Sequence, residues 1–384
     1  MHVKDYIDDM IINQKGYIVM ELKILTCNTL HTLDFTPTIV MGFYQDIRER
    51  HFLQHYNILK EKYPNVDVIG CSSESNIYDQ IPYIENDSKC VFLCLNMQRK
   101  SYQVHILNHI ENNLSLAVED NYNAIMLSSK YFVGIEKLIS DIQHRLNGGN
   151  VFGAIASSLD SLSNNATIFY DGKFFKDSTL LWLIDKSYYS LEGLSIHQFE
   201  PVGFELIVTK CINDTIYELD HRPALKVLEE IVGHITPQNI QSFDFPFFLK
   251  QHDNVSFENT PLCSIKTIDS VANSIVLYRY VKEHDKLKLA IPVSLQEQEE
   301  RLNWFHRFHT EAQSVALLFN CVGIKAYLGM MEFVYLMDLK HHLKMPFLGF
   351  HSFGEIGPLE VGKKSIVHNQ TISLAILSPA KDIS

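Results

Sequence analysis

No apolar run in this chain approaches the 18 or so residues that a membrane-spanning helix needs, so a helical membrane protein is not expected. The first twenty residues carry Asp5, Asp8 and Asp9 in place of a basic flank and an apolar block, so no secretory leader is expected either. Basic charge is in short supply. Lys and Arg total 33 against 45 Asp and Glu, a formal net charge of -12 that repels nucleic-acid phosphates and anionic lipid. The seven cysteines, at positions 27, 71, 90, 94, 211, 263 and 321, follow no repeated C-x-x-C spacing, and their odd, scattered number suits reduced thiols in a cytoplasmic protein. Catalytic fingerprints are missing as well: there is no G-x-S-x-G elbow, P-loop or dinucleotide motif, and no H-x-x-x-H with a helper Glu. His341 and His342 are adjacent and so diverge around a helix, and Cys90 with Cys94 has no third and fourth ligand nearby in sequence. No metal site is expected, and the chain reads as a non-enzyme.

What is present is an ordinary globular composition, 46% hydrophobic and 20% charged, over 384 residues, a length that suits two lobes. Apolar strands at 22–26, 38–43 and 66–69 frame a helix at 52–63 that Pro64 stops, which makes a strand-helix-strand unit. Strands at 89–96, 101–108 and 124–128 follow, with helices near 114–119 and 134–146, the latter closed by Gly148 and Gly149. From 151 to 209 the pattern is almost unbroken strand, with Asp171-Gly172 as a hairpin turn. Pro223 opens a helix to about 232; strands come at 245–249, 264–267, 274–280 and 287–291. A long helix at 295–312 precedes a strand at 315–320, and a helix near 329–342 precedes the closing strands. The expected fold is mixed α/β, two lobes of mixed sheets flanked by helices: an arm at 1–20, one lobe at 21–205 and another at 206–384.

Gly70, Gly153 and Gly354 are placed where strands meet turns, where a missing Cβ lets backbone amides approach a ligand or simply makes the turn. Glu355 lies in an apolar, aromatic segment, so its carboxylate meets either a ligand amine or a structural amide. His368 and Asn369 orient a ligand or cap a turn. Cys71 and Cys321 end strands and are candidates for a lowered thiol pKa, with inert burial as the alternative. Arg279, in the otherwise apolar stretch 275–281, clamps a carboxylate of a ligand or of the protein itself.

Five segments, taken in order, resemble the FIST family. They are Val68-Ile69-Gly70-Cys71-Ser72-Ser73; Gly148 through Ala156 with the hairpin after it; Pro201-Val202-Gly203 leading to Tyr217 through Ala224; Ala316 through Gly323; and Gly349 through Pro358 followed by His368-Asn369-Gln370-Thr371. Together they cover residues from about 22 to 377. The sequence departs from the family pattern at His221 and Arg222, where Asp-Gly is usual, at Ile324, where an Arg commonly follows the Cys-x-Gly, and at Glu74, Ser75 and Asn76, which replace Gly-Glu.

The resemblance implies a small-ligand sensory protein that signals in trans, to a histidine kinase or a cyclic-dinucleotide enzyme, with Gly70, Cys71, Ser72, Gly153, Arg279, Cys321, Gly354, Glu355, His368 and Asn369 as candidate ligand contacts. Two ligand classes compete: amino acids or similar metabolites, and haem with nitric oxide, for which His197 and then His351 are the axial candidates because each stands beside aromatic residues. A thiol-dependent enzyme using Cys321 or Cys71 and a pure interaction scaffold are the other classes, the last disfavoured by the lack of a recognisable F-box segment.

Overall fold

The computed structural model describes residues 19–79, 89–109, 121–132, 134–159, 165–236, 246–251, 255–303, 305, 313–329 and 332–380. The expected arm, but for its last two residues, and the expected helix near 114–119 lie outside this set, as do residues 306–312 of the expected long helix. No helix among the described residues is long and apolar enough to cross a membrane.

A six-stranded sheet comes first, in the order Glu21–Thr26, Cys90–Asn96, Ile39–Gln45, Asp67–Ser73, Ile168–Tyr170 and Lys173–Phe175. Its two central strands are parallel and are joined by helix α1, Glu49–Lys62. Such a strand is covered on both faces, which is why Ile39 through Tyr44 reads as one continuous buried run. Gly42 and Gly70 sit opposite each other in this pair, and the Phe52 ring of α1 lies so close over Gly42 that a Cβ there would come within 2.5 Å of it. The turn at Asp171-Gly172 forms as expected, both residues having positive φ (42° and 92°) in the manner of a type I′ hairpin.

The second sheet runs Ile366–His368, Glu355–Gly357, Val151–Ile155, Tyr122–Ser128, Ser178–Asp185 and Tyr102–Asn108. Here too the two central strands, Tyr122–Ser128 and Val151–Ile155, are parallel and joined by a helix, α2, Ile135–Arg145.

A third, antiparallel sheet of eight strands is built around the 14-residue strand Phe199–Ile212. That strand pairs with Lys286–Pro292 up to Ile207 and with Thr215–Leu219 from Val208 onward. Helix α3, Ala224–Val232, follows Pro223 and buries Leu225, Val227 and Leu228 against the sheet. Helix α4, Leu295–Leu302, is capped by the Ser294 hydroxyl, which accepts from Glu297 N.

The last sheet has five strands: Tyr189–His197, Thr371–Pro379, Val315–Cys321, Phe347–Ser352 and Asn76–Tyr78. Val315–Cys321 and Phe347–Ser352 are parallel, and the crossover between them holds two helices, α5 (Val322–Leu328) and α6 (Glu332–Leu343). One large core joins the first, second and five-stranded sheets, with Trp182, Phe43, Phe319 and Phe350 fully buried in it.

The second and the five-stranded sheets interleave the two halves of the chain. Asn76–Tyr78 pairs with Phe347–Ser352, Val151–Ile155 with Glu355–Gly357, and Tyr189–His197 with Thr371–Pro379. Residue 205, the expected boundary, falls inside the strand Phe199–Ile212, where the register shifts between Val202 and Leu206.

Candidate functional site

Three parallel strand pairs, each spanned by a helical crossover, end together, and the carboxyl ends of such strands are where open α/β sheets present ligand-binding loops. Ser157, just past Val151–Ile155, is the point they share. Its N–H donates to Ser72 O (3.3 Å) and its carbonyl accepts from Ser72 Oγ (2.9 Å). Its hydroxyl accepts from Glu74 N (2.7 Å) and donates to the carbonyl of His351.

Around that junction lies a charged network. Lys325 of α5 donates to both carboxylate oxygens of Glu74 (2.8 and 2.9 Å) and to Ser75 Oγ (2.7 Å). Ser75 Oγ is 2.8 Å from Nδ1 of the buried His351, whose Nε2 meets the Glu332 carboxylate of α6. Burial pushes the Glu74 carboxyl up, but the Lys325 ammonium outweighs it and holds the group below its ordinary range. Asn320 donates to Glu332 (3.3 Å), while its own Oδ1, buried, has no hydrogen-bond partner among the described residues.

Next to this network Cys321 ends its strand. Backbone amides of Gly323, Ile324 and Gln370 point at its thiol, yet burial and the adjacent Glu355 push its pKa far up. Glu355 is completely buried, accepts from Ser352 Oγ (2.6 Å) and Thr371 Oγ1 (2.7 Å), and has its carboxyl pushed up to about 8 by burial. The Gln370 side chain packs on Gly323, where a Cβ would lie 2.2 Å from its Nε2, and its buried Oε1 has no partner among the described residues.

The structure therefore brings together Ser72, Cys321, Gly354 and Glu355 of the expected contacts and explains others differently. Gly70 and Gly153 lie within strands and not at turns: a Cβ would be 1.9 Å from Gly42 O at Gly70 and 1.8 Å from Met126 O at Gly153, so both serve close strand approach. Gly354 makes the bend before Glu355, and its carbonyl accepts from Ile155 N (2.8 Å). Cys71 is buried in the central core, and burial pushes its thiol well up. Arg279 lies beyond the strand Ser274–Leu277 and not within one; it donates to Val367 O (2.6 Å) and pairs with Glu136 of α2 (2.9 Å), so the carboxylate it holds is the protein's own. His368 donates from Nε2 to Gly357 O (2.9 Å), and burial lowers its pKa to about 3. Asn369 is buried in the turn that follows. His197 is buried with its ring edge-on to Phe248, centroids 5.2 Å apart.

A family model for the FIST N domain matches residues 39–222 and one for the FIST C domain matches residues 224–358. The chain belongs to the FIST family. Among curated proteins none matches it. FIST domains are small-ligand sensory domains of signalling proteins rather than catalytic ones.

Against that family background the departures at Glu74, Ser75 and Ile324 lie together in space. Glu74 and Ser75 are bound by Lys325 of α5, the residue after Ile324. Glu74 and Ser75 stand out in the sequence only as departures, Asn320 and Gln370 only as members of the segments that carry the resemblance, and Ser157, Lys325 and Glu332 carry no signal there at all. They become a site only through a fold that joins residues some 250 positions apart.

Proposed function

We propose that this FIST protein is a receptor for a small amine-bearing metabolite of the amino-acid class, held where the three parallel pairs end. The observation that carries the reading is the pair of buried acceptors without a partner among the described residues, Asn320 Oδ1 and Gln370 Oε1, on either side of the Cys321 turn. A buried acceptor left unsatisfied costs about 1–3 kcal/mol, and an ammonium group supplies the missing donors. Glu332 beside Asn320 supplies the opposite charge for that ammonium, and Lys325 on α5 is the cation suited to a ligand carboxylate. Occupancy would shift α5 and α6, which carry both groups, and pass to a separate signalling protein such as a histidine kinase or a cyclic-dinucleotide enzyme.

Thermal-shift titration with the amino acids and simple amines tests this. One class should raise the midpoint by a few degrees at saturating concentration, and Asn320→Leu and Lys325→Met should each abolish the rise. No shift with any α-amino acid or amine would overturn the proposal.

The second reading, haem as a nitric oxide receptor, rests on His197, whose buried ring packs on Phe248 beside Phe199. His351 fits an axial role poorly, since both of its ring nitrogens are engaged. An ultraviolet-visible spectrum of protein expressed with a haem supply separates the two ligands. An intense haem band that shifts with nitric oxide and is lost in His197→Ala would favour haem over the metabolite.

A further inference from the structure

Away from this site, at the edge of the first sheet, Cys27 and Cys90 face each other across the antiparallel pair Glu21–Thr26 and Cys90–Asn96, with Cys27 N donating to Cys90 O (3.2 Å). Helix α1 begins directly over them and carries His51 and His55, four residues apart and therefore on one helical face. The ligand atoms of Cys27, His51 and His55 all lie within 4.8 Å of one another. His51 Nδ1 is 3.8 Å from Cys27 Sγ and 3.9 Å from Cys90 Sγ. In a tetrahedral zinc site, bonds of about 2.3 Å to sulfur and 2.0–2.1 Å to nitrogen put neighbouring sulfur and nitrogen ligands about 3.6 Å apart. The observed separations are within a few tenths of an ångström of that edge.

We infer that Cys27, Cys90, His51 and His55 form a binding site for a tetrahedral, thiophilic divalent cation of the zinc class. The donor set selects the metal, because two thiolates with two imidazoles exclude calcium and magnesium and suit zinc. The second shell is in place: His55 Nδ1 donates to His51 O (2.8 Å), which fixes the ring and leaves Nε2 as the ligating nitrogen. Access is in place too, since Cys90 is fully buried, Cys27 and His55 are half-buried and His51 is exposed, a gradient from core to solvent along which an ion can enter. Binding releases the two thiol protons to solvent and forms two metal–sulfur and two metal–nitrogen bonds, with no change in oxidation state. Four protein ligands leave no open position, so the ion would pin the start of α1 to the sheet edge and perform no catalysis. In the sequence the site is hidden, because Cys90 invites pairing with Cys94 on its own strand while its partners lie at 27, 51 and 55.

The test uses the full-length chain, reduced and loaded with zinc, then desalted, with metal content measured by plasma mass spectrometry. One zinc per chain is expected. Loading with cobalt(II) should give the intense visible bands of a tetrahedral ion together with a thiolate charge-transfer band. His51→Ala, at an exposed position that leaves the core intact, should lower zinc affinity at least tenfold, and Cys27→Ser should remove the charge-transfer intensity of one thiolate. Cys211→Ser, on the eight-stranded sheet, should change neither. Less than a tenth of an equivalent of zinc on fully reduced protein, a cobalt spectrum without a thiolate band, or a Cys27–Cys90 disulfide that reforms in the presence of excess zinc would each overturn the assignment. None of these outcomes bears on the metabolite site, whose thermal shift is read separately.

Discussion

Glu355 and His368 are buried ionisable side chains whose effects on stability have opposite signs. The Glu355 carboxyl, at about 8 in the folded chain against an ordinary 4.5, holds its proton more tightly folded than unfolded, so its contribution falls as pH climbs from about 4.5 to about 8, by up to about 1.4 kcal/mol per pH unit. His368, at about 3 against 6.5, is kept neutral by burial, and its contribution is lost as pH drops from about 6.5 towards 3. Glu355→Gln should therefore remove the loss of stability that the parent chain shows between pH 6.5 and 8, read from urea midpoints at the two values. Identical slopes in the two proteins would show that the carboxyl does not titrate there. Cys321 and Cys71 should both label slowly with a thiol-reactive probe in the native state, because burial raises both thiols and no imidazole among the described residues offsets it; a fast cysteine at either position would revive a thiol enzyme. Arg279→Met strips Val367 O and Glu136 of their donor and should cost about 2–4 kcal/mol, towards the low end because Glu136 is partly exposed. Arg279 and Glu355 could be singled out from sequence because a charge in an apolar stretch is conspicuous. What they touch could not, since the partners of Arg279 lie at 136 and 367.

At the scale of elements, local chemistry made the first strand-helix-strand unit and the 168–175 hairpin readable: a continuous apolar run, a proline stop and an Asp-Gly turn each act within a few residues. Helix α5 was not readable. Val315 through Leu328 is one apolar stretch interrupted by Asn320, Gly323 and Lys325, and at the switch from strand to helix the Cys321 position carries none of the usual Ser, Thr, Asp or Asn caps, while Gln370, far along the chain, packs on Gly323. The strand Asn76–Tyr78 escaped for the same reason: three residues show no alternation, and the partner strand lies some 270 positions away. The glycines inside strands make the sharpest test at this scale. Gly153→Ala meets both a φ of +148° and a Cβ placed 1.8 Å from Met126 O, so it should cost about 4 kcal/mol or more and yield insoluble or unfolded protein. Gly203→Ala, with φ +75° but open space around it, should cost about 1–2 kcal/mol and leave the circular dichroism spectrum unchanged. Equal losses at the two positions would mean that backbone strain, and not the approach of the paired strand, sets the requirement.

The whole molecule should behave as one unit because its second and five-stranded sheets are stitched from both halves. Thr371–Pro379 stands between Tyr189–His197 and Val315–Cys321, so removing it bares two strands at once. Residues 224–384 expressed alone should fail to fold, and the full chain should unfold in urea with coincident fluorescence and circular dichroism transitions for its N- and C-terminal parts. Two separated transitions, or a soluble C-terminal half with native-like strand content, would contradict this. Strand pairing thus crosses the division of the family match near residue 223.

The position of that final strand also sets a problem for the ribosome. Tyr189–His197 emerges long before the strand that will cover its edge, and at roughly 5–20 residues per second the wait is on the order of ten to thirty seconds. Throughout that interval a nearly fully buried strand is exposed as an unpaired template, the arrangement most prone to wrong partners and to aggregation. Production of this protein should accordingly depend on chaperone supply and on translation speed, with slower growth temperatures raising the soluble yield.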